Sequence, residues 1–63
     1  MDIFEQARTT DADYLDMATG YIYHIQQYNR CKKMGLPNLY GGILVTDSCT
    51  GEIIGVVREE ENA

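Results

Sequence analysis

The chain has 63 residues, of which 44% are hydrophobic and 24% charged, and it carries a net charge of −5. This composition excludes wholesale disorder, and the length leaves room for a single small domain, residues 1–63. The acidic balance argues against a general phosphate-backbone binder, so no direct nucleic-acid binding is expected.

No apolar run approaches the ~20 residues of a membrane span, and no membrane association is expected. The acidic opening Met1–Glu5 lacks the apolar stretch of a signal peptide. Two cysteines, Cys31 and Cys49, are too few and too far apart for a secreted disulfide scaffold. The expected compartment is therefore the cytoplasm. The chain reads without internal repeats, low-complexity stretches or a Pro/Ser linker.

In chain order, the first element is a short helix over Asp2–Arg8. Ile3, Phe4 and Ala7 share a helical face there, and Asp2 with Glu5 forms an N-terminal capping pair. From Asp11 to Met34, Tyr14, Ala18, Tyr21, Ile25 and Tyr28 recur at steps of four, three, four and three. That spacing predicts one long amphipathic helix, with aspartates near its start and Arg30, Lys32 and Lys33 near its end. Gly20 is the discordant residue inside it, costing about 1 kcal/mol relative to alanine. Met34-Gly35-Leu36-Pro37 reads as a left-handed glycine cap followed by a proline stop.

Two β-rich runs follow, Gly42–Asp47 and Glu52–Arg58, joined by the hairpin loop Ser48-Cys49-Thr50-Gly51. Pairing Asp47 with Glu52 sets Val45 against Ile54 and Ile43 against Val56, a β-branched face to pack on the long helix. On this reading Ile54→Ala costs about 2–5 kcal/mol. Residues 58–63 read as a frayed acidic tail. The expected fold is thus α+β: a short helix, one long helix, and a two-stranded antiparallel hairpin packed on it.

This arrangement leaves surfaces without cover. Leu44, Ile53 and Val57 fall on the far side of the hairpin, to be closed by a second copy of the chain or by the N-terminal segment wrapped over the sheet. Tyr23 falls on the polar side of the long helix with Gln27 and Arg30 and is a candidate partner contact. His24, Cys31 and Cys49 are the soft metal ligands, but they lack the close pairs that zinc favours, so no metal and no cofactor is expected. No nucleophile elbow, phosphate loop or metalloprotease helix motif occurs, so no catalysis is expected. The leading functional reading is a non-catalytic protein-interaction or regulatory module, either homodimeric or bound to an unidentified protein. The alternative is an acidic inhibitor occupying the basic nucleic-acid site of another protein.

Overall fold

A computed structural model describes residues 2–38 and 40–58. The elements are α1 (Ile3–Thr9), β1 (Tyr14–Asp16), β2 (Tyr21–Tyr23), α2 (Ile25–Met34), β3 (Gly42–Asp47) and β4 (Ile53–Arg58). The strands form one antiparallel sheet in the order β1-β2-β3-β4. The class remains α+β, but the long helix and the lone hairpin are both overturned. No helix among the described residues is long and apolar enough to cross a membrane.

The reason lies in the segment Asp16-Met17-Ala18-Thr19-Gly20. Asp16 Oδ1 accepts from Ala18 N at 2.9 Å, Thr19 Oγ1 accepts from Tyr21 N at 3.3 Å, and Gly20 takes φ +77°. All three choices satisfy the backbone outside a helix, and the positive φ suits glycine alone. The residues after the turn, Tyr21-Ile22-Tyr23, are aromatic and β-branched and favour a strand. The same pattern, D-x-x-T-G, recurs at Asp47-Ser48-Cys49-Thr50-Gly51, so the chain does contain an internal repeat. There Asp47 Oδ1 accepts from Cys49 N and Thr50 N, Thr50 Oγ1 accepts from Glu52 N, and Gly51 has φ +76°. In each loop the glycine N–H donates to the aspartate carbonyl at 2.8 Å. Ser48 N donates to Gly20 O at 2.9 Å and ties the two loops together.

The two helices lie on one side of the sheet. Asp2 caps α1 through Phe4 N at 2.9 Å, and Gly35 closes α2 at φ +67° with Leu36 N donating to Cys31 O at 2.9 Å. The Gly35 cap matches the sequence reading; at α1 the Asp2 half of the expected Asp2–Glu5 pair is present, and no bond from the Glu5 side chain completes it among the described residues. Asn29 of α2 donates to the carbonyls of Ala7 and Thr10 at 2.8 and 3.2 Å, holding the end of α1 against α2. Phe4, Ala7, Ile25, Tyr28 and Ile43 form the core, with Ile25 and Ile43 fully buried. Phe4 and Tyr28 meet edge to face at 5.5 Å.

The strand register differs from expectation along β4. Asp47 N does donate to Glu52 O, and Thr46 pairs with Ile53. A bulge between the Val45 and Thr46 levels then inserts Ile54, so Val45 faces Gly55 and Ile43 faces Val57. One extra residue moves every later side chain to the opposite face. Val57 therefore packs toward the core, Val56 pairs with Leu44 on the far side, and Ile54 stays 43% exposed. Ile54→Ala should consequently cost well under the 2–5 kcal/mol of a core truncation. Of the stripe residues expected to pack under the hairpin, Tyr21, Ile25 and Ala18, Ile25 does join Ile43 in the core, whereas Ala18 sits in an exposed turn and Tyr21 is itself a strand residue. Arg58 closes β4, and residues 59–63 of the expected tail lie outside the described residues.

Candidate functional site

The structure divides the sequence-derived surface residues among separate places. Leu44 and Ile53 lie on the sheet face away from the helices, as expected for them. Val57 does not; it lines a groove on the helix side. Tyr23 is half-buried in β2, packs against the core and lines the same groove, so it is no isolated exposed tyrosine. Gln27 and Arg30 are exposed on α2, and Arg30 borders a second groove of about 520 Å³ with Asp11, Asn29 and Lys33.

The open sheet face is broader than the sequence suggested, because four strands contribute to it. Register places Leu15 opposite Ile22, Ile22 opposite Thr46, and Leu44 opposite Val56. Leu15 is 44% and Ile53 60% exposed, while Ile22, Leu44 and Val56 are half-buried by their neighbours. Leu15 and Ile22 are the residues of this face that sequence reasoning places in a helix, and Val56 is the one it places on the core side. The repeated D-x-x-T-G string would have revealed the first two, because it marks a second hairpin around them.

One polar constellation sits on this face. His24 Nε2 and Thr46 Oγ1 are 2.8 Å apart, and Asp13 Oδ2 lies 3.8 Å from His24 Nδ1. Asp13 is itself held by Gln26 N at 3.0 Å, and His24 N donates to Leu44 O at 2.9 Å. Carboxylate, imidazole and hydroxyl stand in the order used for nucleophilic catalysis. Thr46 lies in an interior strand paired on both sides, where backbone N–H groups serve the ladder rather than a developing oxyanion. The arrangement acts as a clasp joining the approach to β1, the start of α2 and β3. Thr46→Val, which keeps the β-branched shape, should cost about 1 kcal/mol in urea unfolding. A change below a few tenths would mean that the clasp adds nothing.

Among the described residues no group of three His, Cys, Asp or Glu side chains could hold a metal ion. Cys31 is half-buried, Cys49 is exposed, and both thiols are free. No protein-family model, curated protein or solved structure matches the chain.

Proposed function

We propose that the chain is a non-catalytic protein-interaction module that docks through the open face of its sheet, and that its first occupant is a second copy of itself. The observation that supports this is a set of apolar side chains, Leu15, Ile22, Leu44, Val56 and Ile53, spread over all four strands opposite the helices, around the Thr46–His24 pair. Exposed apolar surface rimmed and crossed by polar groups marks association sites. The sheet edges are poorer candidates, since β1 has three residues and β4 carries the bulge, both devices that discourage edge pairing.

From strand spacing and rise, the face itself spans roughly 300 Å² in projection. That is well under the roughly 800 Å² per partner of a standard interface, so the dimer should be weak and its stability concentration-dependent.

Two copies of net charge −5 repel, so added salt should strengthen the dimer by screening. An acidic inhibitor on a basic site would show the reverse. Sedimentation at increasing concentration and two salt levels tests this, with Ile53→Lys as the variant. The expected result is a mass rising toward the dimer for the native chain, and an Ile53→Lys chain that stays monomeric with the urea midpoint of the native chain at high dilution. A native chain monomeric at every concentration would overturn the proposal.

A further inference from the structure

On the helix side, α1 leaves the β1–β2 end of the sheet uncovered, and a groove of about 340 Å³ opens there. It is lined by Ile3, Gln6, Tyr14, Asp16, Tyr23 and Val57. The geometry points to a receptor for one arginine side chain carried by a partner protein. This groove lies on the opposite side of the sheet from the open face, and either surface can be removed without the other.

Three features of the groove match three parts of an arginine. Ile3 and Val57 give apolar surface for the alkyl stem. Tyr14 and Tyr23 are directly opposite across β1 and β2, their ring centroids 5.8 Å apart and their planes 41° apart. Such splayed rings offer a π surface on which a planar cation can lie. Asp16 follows Tyr14 by two positions on the same strand face, about 7 Å along, within the span of a guanidinium stacked on the ring.

Among the described residues no cation answers the charge of Asp16. Its Oδ1 accepts from Ala18 N at 2.9 Å, a turn contact that leaves acceptor capacity on the carboxylate. His24 stands 3.8 Å from Asp13, not beside Asp16. An aromatic pair and an unpaired carboxylate in one concavity exclude anions and favour cations. Arginine fits better than lysine, because guanidinium is planar, weakly hydrated and able to stack while it donates to a carboxylate.

The test is a titration of the full ¹⁵N-labelled chain at low ionic strength with N-acetyl-argininamide, N-acetyl-lysinamide and tetramethylammonium chloride. Arginine should shift the amides of Tyr14, Asp16 and Tyr23 and saturate at about millimolar concentration, with lysine at least about threefold weaker. Asp16→Asn, which keeps the acceptor for Ala18 N, should weaken arginine binding about five- to tenfold. Tyr14→Leu should do the same, while Tyr14→Phe should bind like the native chain. Equal affinity of the native and Asp16→Asn chains, shifts confined to residues outside the groove, or tetramethylammonium binding as tightly as arginine would each overturn the assignment.

Discussion

Ile43→Ala is expected to leave little folded protein at room temperature. Ile43 is fully buried beneath Phe4, Ala7, Ile25 and Tyr28, and no neighbour is free to collapse into the space it would vacate without moving a helix. Truncating such a side chain costs about 2–5 kcal/mol through lost transfer energy and the residual cavity. A domain of this size has a total stability of roughly 3–5 kcal/mol, so the loss is comparable with the whole. Urea unfolding followed by circular dichroism gives the value. Ile53→Ala is the matched control, since Ile53 is 60% exposed, and it should change stability by less than about 0.5 kcal/mol. A larger loss in Ile53→Ala than in Ile43→Ala would mean that the two sheet faces have been exchanged.

Gly42→Ala should be comparably damaging for a different reason. Gly42 is buried at the start of β3, opposite Arg58. A Cβ there would overlap the carbonyl oxygen of Val57 and stand 2.9 Å from its carbonyl carbon and 3.0 Å from Arg58 Cα. All three are backbone atoms, so no side-chain rotation relieves the overlap. The end of β4 must move off β3, at about 2–3 kcal/mol. Amide exchange at Val57 and Arg58 should quicken before that of Ile43. Gly55→Ala makes the contrast, because a Cβ at Gly55 meets nothing within 4 Å and its φ is not positive. That variant should be neutral or slightly stabilising. Equal tolerance at both positions would show that the β3–β4 approach at Gly42 is wider than described.

These two cases also mark what the sequence discloses. Local chemistry was legible: the Asp2 cap, the Gly35 stop and the loop at Ser48–Gly51 each rest on a few adjacent residues, and each is present. The segment from Asp11 to His24 was not, because a heptad-like spacing of Tyr14, Tyr21 and Tyr28 imitates a helix stripe. Those tyrosines instead belong to β1, β2 and α2 in turn. The decisive information was the turn chemistry of Asp16, Thr19 and Gly20, which outweighs periodicity because it fixes backbone donors directly. The bulge at Ile54 left no mark at all, since Ile53 and Ile54 are chemically identical and either could have been the extra residue. It is this unmarked residue that exchanged Val56 and Val57 between the two faces. The groove was invisible for a related reason: Tyr14 and Tyr23 meet only once β1 and β2 pair.

The two D-x-x-T-G loops have a kinetic consequence. Each closes a hairpin between neighbouring segments, Tyr14–Tyr23 and Gly42–Arg58, the kind of event that takes about 1–10 μs. The pairing of β2 with β3 is different, since it joins Tyr23 to Val45 and Tyr21 to Asp47 across the whole of α2. Closing that span carries the loop entropy of the intervening chain and is repaid only when α2 docks on Ile43. The slow step of folding is therefore expected to be the encounter that brings Ser48 to Gly20, rather than the closure of either hairpin. Weakening the first loop, as Thr19→Ala would, should slow refolding, whereas Ile53→Ala should leave its rate untouched.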